Sequence, residues 1–286
     1  MIRDDLVRRV FTCSALLTML CLTVPAWAQA PKSQEQVNRE LGSLAWHRGP
    51  TEGRIGSLAT IKVPEGQAFL DAPNTRRFLE LNGNPPRDNH YTLVAEDLSW
   101  FAVFFFEDTG YVRDDEKLDP DALLKSLQKA DGPGNAERKR LGMSPLYTDG
   151  WHVPPHYDLS TRRLEWGLRL RGDSGPPLVN YSIRLLSRRG VMHVIVVSSP
   201  ESLNHDIDVF KTSLSSYSFL PGERYSEFRS GDRVAEYGLG ALVLGGAAAV
   251  AVKSGAGKGL LKMLIYGGMA AGGGVLAFFR KLVRRD

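Results

Sequence analysis

The sequence predicts an α+β fold, mainly an antiparallel sheet with flanking helices, plus a C-terminal Gly-rich transmembrane segment or hairpin. Three observations predict it. Runs with strand periodicity follow one another across tight turns, at Tyr91–Ala95 and Trp100–Phe106 and again at Arg163–Leu170, Leu178–Leu186 and Val191–Val197, which favours antiparallel pairing. Helical stripes stand between and after these groups, at Leu123, Leu124 and Leu127 and at Leu203, Ile207, Phe210 and Leu214. Two apolar runs without a charge, about 237–252 and 263–279, close the chain.

Taken in order, the chain begins with Arg3, Arg8 and Arg9 before an apolar run from Val10 to Val24, and Ala26-Trp27-Ala28 has the small-x-small pattern of a signal-peptidase site. The run is about 15 residues, a signal length rather than a span, so residues 1–28 are expected to be a signal peptide. Both cysteines, Cys13 and Cys21, fall inside it. The mature chain would then have no disulfide, thiolate-bound zinc or cysteine nucleophile.

Residues 29–236 are expected to form an extracytoplasmic α+β domain. Gln29 to Gly53 is polar and reads as a loose arm or frayed helix. Ser57–Val63 alternates Leu58, Thr60 and Lys62 with Ala59, Ile61 and Val63, a strand. Asn74–Leu81 reads as a short helix stopped by Asn82-Gly83-Asn84-Pro85-Pro86. Trp100–Phe106 is apolar on both faces and belongs in a sheet centre covered on both sides. Asp119 and Pro120 start a helix with an apolar stripe at Leu123, Leu124 and Leu127, and Asp131-Gly132-Pro133-Gly134 interrupts it. In Arg163–Leu170, Leu164, Trp166, Leu168 and Leu170 are expected to face in, with Glu165, Arg169 and Arg171 facing out. Ser198-x-x-Glu201 has the form of a capping box for the helix that follows. Phe219 and Leu220 are expected to close the domain.

Residues 237–286 read as a membrane anchor with a basic C-terminus, Arg280-Lys281-Leu282-Val283-Arg284-Arg285. Dense glycine would destabilise a helix in water. In lipid it permits close helix contact, as at Gly268-x-x-x-Gly272. A hairpin places the basic end outside the cell, against the charge bias of membrane proteins. One crossing plus an interfacial segment satisfies that bias, and both topologies stay open.

The chain has 36 Lys+Arg against 32 Asp+Glu. Leader and tail hold the excess, and residues 29–236 are slightly acidic, which excludes a nucleic-acid domain. Among candidate chemistries, Gly150-Trp151-His152-Val153-Pro154-Pro155-His156-Tyr157-Asp158 is the densest polar-aromatic cluster. Trp151, His152, His156, Tyr157 and Asp158 are the candidate binding residues, and a structural loop is the plainer reading. Two prolines bar a helix there. Extended chain separates His152 from His156 by about 13 Å at Cα, long for sharing one metal, so neither metal nor cofactor is expected. Arg171-Gly172-Asp173-Ser174-Gly175-Pro176 looks like a serine-protease nucleophile stretch but has no matching histidine context. Gly255-Ala256-Gly257-Lys258-Gly259 lacks the first glycine and the Ser/Thr of a phosphate loop. Tyr111–Asp119 is acidic without calcium-loop spacing and reads as a solvated turn into a helix cap. His193, in an apolar strand, reads as a satisfied core residue.

Several stretches together resemble the DUF2167 family of bacterial membrane-anchored proteins. They are Leu81–Pro86, Gly110–Glu116, Gly150–Asp158, Leu164-Glu165-Trp166, Phe219–Phe228 and Gly231–Leu239. The Gly-Pro-Gly break after Asp131 is a departure from an otherwise continuous helix. The resemblance implies a signal peptide, an extracytoplasmic domain and C-terminal anchoring, and it brings no activity or catalytic residues. The expected function is therefore a membrane-anchored envelope protein serving as a binding or assembly module, in the cell membrane with its soluble domain on the periplasmic side. Expected partners are the lipid bilayer and either an envelope protein or a second copy through the Gly-rich helices, with no nucleic acid. The alternative is an envelope hydrolase using His152, His156 and Asp158.

Overall fold

The computed structural model describes residues 33–82, 84, 86–140, 144–173 and 177–245. The predicted signal peptide, the end of the first apolar run, the whole second run, Gly255–Gly259 and Ser174–Pro176 lie outside the described residues. Among the described residues no helix is long and apolar enough to cross a membrane.

In chain order the elements are α1 (Gln34–Gly42), β1 (His47–Arg48), β2 (Thr51–Ile55), β3 (Ala59–Val63), β4 (Gln67–Leu70), α2 (Ala72–Leu81), β5 (His90–Ala95) and β6 (Trp100–Glu107). They continue with α3 (Pro120–Arg140), β7 (Leu146–Asp158), β8 (Arg163–Gly172), β9 (Leu178–Leu186), β10 (Val191–Ser198), α4 (Leu203–Leu214), β11 (Ser218–Phe219) and, after a 3-10 turn at Tyr225–Glu227, α5 (Leu239–Val243). An eight-stranded antiparallel sheet has the order β1-β4-β5-β6-β10-β9-β8-β7, and β11-β3-β2 form a second, three-stranded sheet. The α+β reading holds.

As its sequence requires, β6 lies inside the large sheet with both faces covered. Trp100, Ala102 and Phe104 enter one core with Met192, Val194 and Val196, under α4 and the small sheet. Phe101 and Val103 enter another, on the opposite face, under α1 and α2. A third core shares that opposite face beneath α3 and α5, around Leu164, Trp166 and Leu168. In α4 the predicted stripe is buried, with Leu203, Ile207, Phe210 and Leu214 at most 6% exposed. Each such side chain contributes about 1.5–3 kcal/mol.

Five local expectations are corrected. The polar arm is ordered: Ser33 and Gln36 cap α1 reciprocally, and Trp46 Nε1 donates to Leu41 O at 2.8 Å. Val37, Leu41 and Leu44, spaced four and three apart, pack on the α2 core, a stripe that the surrounding polar residues conceal. Residues 132–134 do not break α3. Asp131 accepts from Thr148 N and Oγ1 (2.8 and 2.9 Å), and Asn135 exchanges two 2.8 Å hydrogen bonds with the Leu146 backbone, so β7 holds the helix on both sides of Pro133. Glu165 is buried, receiving the Tyr181 hydroxyl and Lys211 Nζ, each at 2.6 Å, because α4 covers that face of β8. Ser198 does not cap α4. The helix starts at Leu203, and the Ser198 hydroxyl donates to the Asp206 carboxylate instead.

Finally, packing does not stop at Leu220. Residues 221–237 strap one end of the large sheet, and α5 buries Leu239, Leu242 and Val243 against Leu123 and Leu127. The first apolar run thus begins inside the domain's own core.

Candidate functional site

The predicted residues lie along β7, which is an edge strand and not a loop. An edge position accommodates Pro154 and Pro155, because no ladder bond is needed on the outer side. Irregularities between Thr148 and Gly150, Trp151 and Val153, and Val153 and His156 bend the strand. Trp151 Nε1 donates to Pro120 O at 3.1 Å, docking the start of α3. His152 Nε2 lies 2.8 Å from Asn204 Oδ1 on α4. His156 Nδ1 is 3.3 Å from Pro154 O and its ring is exposed. Asp158 accepts from Ser160 N, Ser160 Oγ and Thr161 Oγ1 in the β7–β8 turn. Those bonds hold its carboxyl down at about 2. The two histidines therefore face different partners. No group of three metal-ligating side chains occurs among the described residues.

Tyr157 and His156 instead belong to one end of the domain, where the β7–β8 turn meets the strap. The Tyr157 hydroxyl donates to Asp114 Oδ2 at 2.9 Å, and the Arg162 guanidinium donates to the same oxygen. Tyr225 OH donates to Val112 O at 2.9 Å. Its ring stacks on Tyr111 at 4.3 Å, and Tyr111 in turn meets Phe228 at 4.2 Å. Arg162 lies over the Tyr225 ring at 5.2 Å. Burial raises the Asp114 carboxyl, but the Tyr157 and Tyr225 hydroxyls and Arg162 outweigh it, and the net shift is downward. Both phenols are pushed up, first by burial and then by hydrogen bonding.

Backbone geometry fixes the strap here. Tyr111 N donates to Arg233 O at 2.8 Å and Ala235 N to Tyr111 O at 2.9 Å. Gly110 has φ +90°, and a Cβ there would sit 2.8 Å from Arg233 O, so both the turn and the close approach require glycine. Glu116 accepts from Gly240 N at 3.0 Å, at the start of α5. Tyr111–Asp119 leads into a helix cap as expected, with Asp119 accepting from Ala122 N at 3.0 Å and Arg113, Asp115, Glu116 and Lys117 exposed, but Val112 is buried and Tyr111 and Asp114 are tied to their neighbours.

Two clefts flank the Asp114–Arg162 pair. One, of about 470 Å³, is lined by His156, Tyr157, Asp115, Glu116 and Lys117. The other, of about 320 Å³, is lined by Arg163, Arg224, Ser218, Ser226 and Tyr217. The three exposed large hydrophobic residues recorded among the described residues, Leu159, Phe228 and Val234, lie at this same end. Arg162, Arg163 and Arg224 were not singled out from the sequence. For Arg224 the signal was the Tyr and Arg of the stretches Gly110–Glu116 and Phe219–Phe228, which pack together here, whereas Arg162 and Arg163 lie in neither stretch.

A second polar cluster is buried in the large sheet. Cross-strand neighbours His90, Phe105, His193 and Arg184 form one row. Phe105 stacks between His90 and His193, at 4.8 and 4.6 Å. Arg184 covers Trp166 at 4.7 Å, and its Nε has no hydrogen-bond partner among the described residues. Burial pulls the Arg184 guanidinium down to about 9. His193 Nε2 lies 3.0 Å from Glu107 Oε2 without the alignment of a hydrogen bond. Burial, then the Arg184 charge, lowers His193 to about 4. It is a neutral core histidine, though less well satisfied than its sequence context implied.

The model for a protein family of unknown function, DUF2167, matches residues 47–277. The chain belongs to the DUF2167 family. This DUF2167 protein is also similar to the solution structure of cyanobacterial PsbP (CyanoP) from Synechocystis sp. PCC 6803. The two share 9% identity over 59% of this chain and 92% of that one, with a TM-score of 0.34. No curated protein matches the chain.

Proposed function

We propose that this DUF2167 protein is a membrane-anchored envelope protein whose described domain is a non-enzymatic binding or assembly module on the periplasmic side. One observation carries the reading. The Gly-rich apolar run does not trail from a loose linker. It starts as α5, whose Leu239, Leu242 and Val243 pack in the domain core. A run that is packed in the domain at its start suits a module kept close to a bilayer.

The alternative hydrolase needs His152, His156 and Asp158 to act on one substrate atom, with a base in hydrogen-bond reach of a nucleophile. Each of those side chains is instead engaged separately, with Asn204, Pro154 O and the β7–β8 turn. The exposed end bearing Leu159, Phe228 and Val234 is the favoured contact surface.

Photo-crosslinking the full chain in its own membranes, from probes at Phe228 and Val234, tests this. The reading expects one discrete crosslinked species from these positions, with lipid, an envelope protein or a second copy, unchanged in the H152A/H156A double variant. A chain found only in the soluble fraction, or a function lost in that folded double variant, would overturn it.

A further inference from the structure

We propose that the cleft between the β7–β8 turn and the strap is a binding site for a phosphate-bearing anion. The cleft is about 320 Å³, at the small end of the range for ligand pockets. Three arginines line it and no carboxylate does, among the described residues. Arg162 is already neutralised by Asp114. Arg163 spends one donor on Leu214 O at 3.1 Å. Neither Arg163 nor Arg224 makes an ion pair among the described residues. Glu227, which feels the Arg224 charge, has an oxygen occupied by the backbone N–H groups of Gly222 and Arg224, at 2.8 and 2.9 Å.

In the neutral lining, the Ser226 side chain is exposed and uncommitted. Tyr217 also lines the cleft, but its hydroxyl is buried on the core side, where its ring packs against Phe104 and Phe219. Arg163, Arg224 and Ser226 are therefore three donors around one space that no carboxylate lines among the described residues. A tetrahedral oxyanion with several acceptor oxygens matches that set, and a guanidinium fork is suited to it.

Two sources supply this chemistry, free phosphate and the headgroup of an anionic phospholipid. Exposed apolar side chains next in sequence to the lining, Leu159 in the neighbouring cleft and Phe228 against Tyr111, favour the lipid. Leu159, 63% exposed, precedes Ser160, and Phe228, 39% exposed, follows Ser226 by two residues. They would lie beside acyl chain while the phosphate enters the cleft. The lipid source rests on the membrane-anchored reading, whereas the anion site does not.

The test is calorimetric titration of the full chain in neutral-detergent micelles with inorganic phosphate and with dihexanoyl phosphatidylglycerol. Wild type is expected to bind at least one of them. R224Q and R163Q are expected to weaken binding at least about tenfold, and R54Q, on an exposed position of β2, should leave it unchanged. R224Q is the decisive variant, because Arg224 is exposed and its loss should leave the circular dichroism intact. Binding of phosphatidylglycerol alone supports the lipid source, and binding of both or of phosphate alone supports a soluble one. Failure of both anions to bind, or wild-type affinity in folded R224Q and R163Q, would overturn the site. Membrane retention of the same chains is scored separately. Its loss would count against the anchoring reading and leave the anion result standing.

Discussion

His193 gives the most direct link from a buried group to a measurable pH dependence. The native imidazole is lowered from 6.5 to about 4, first by burial and then by Arg184, against the opposing pull of Glu107 at 3.0 Å. An unfolded chain protonates this group near 6.5, while the native chain resists until about 4. Between those values the unfolded state holds more protons, so stability rises with pH. The contribution is fully present above 6.5 and is lost as pH falls to about 4. At about 1.4 kcal/mol per pH unit, the gap is worth about 3 kcal/mol. His90, also lowered by burial, adds in the same direction, so the residue must be isolated by difference. Urea unfolding of the full chain in neutral-detergent micelles, followed by tryptophan fluorescence at pH 7.5 and pH 4, provides the assay. H193Q will lower stability at pH 7.5 through the lost Phe105 stacking, yet it should remove about 3 kcal/mol of the fall between the two pH values. If H193Q keeps the whole wild-type fall, the histidine is not buried neutral and the argument for the row is wrong.

Pro133 is exposed inside α3 and leaves Lys129 O without its helical donor. P133A should raise stability by about 1–3 kcal/mol, read as a higher urea midpoint. N135A removes both 2.8 Å bonds to the Leu146 backbone and should cost about 2 kcal/mol in the same measurement, with the α3–β7 junction losing hydrogen-exchange protection first. E165A strands the Tyr181 hydroxyl and Lys211. Because Lys211 is 36% exposed, the expected cost is about 2–3 kcal/mol, below that of a fully buried pair, and E165Q should recover part of it. The H152A/H156A double variant should stay within about 1 kcal/mol of wild type in the urea midpoint, since each ring makes one hydrogen bond near the surface.

Much of the sheet could be read from the chain because both readable signals were strong. Trp100–Phe106 has no polar face, and Arg163–Leu170 alternates cleanly enough to place four side chains of one core. What escaped depended on contacts between distant segments. Glu165 alternates like a surface residue and is buried only because Lys211 and Tyr181 arrive from other elements. The Gly132-Pro133-Gly134 stretch is a helix breaker by local propensity, and the hydrogen bonds that override it come from β7. Propensity acts within a turn, whereas these stabilisations span eleven and seventeen residues.

The site was legible only in part. Tyr157 and His156 do line a cleft, but Asp114, which accepts from the Tyr157 hydroxyl, and Arg162 and Tyr225 beside it come from three separate stretches. Spacing along β7 alone could not bring them together. Trp151 was conspicuous as an aromatic beside a histidine, yet it docks a helix start. Residues with an evident chemical identity were found, and the cleft-lining Arg163 and Arg224, which make no ion pair among the described residues, were not.

Alkaline carbonate extraction combined with protease digestion of spheroplasts tests export and membrane retention of the chain most directly. The prediction is full retention in the carbonate-washed pellet, with residues 29–236 digested from outside intact spheroplasts and shortened no further by lysis. Release of the chain into the carbonate supernatant, or protection of the domain until the cells are lysed, would contradict it.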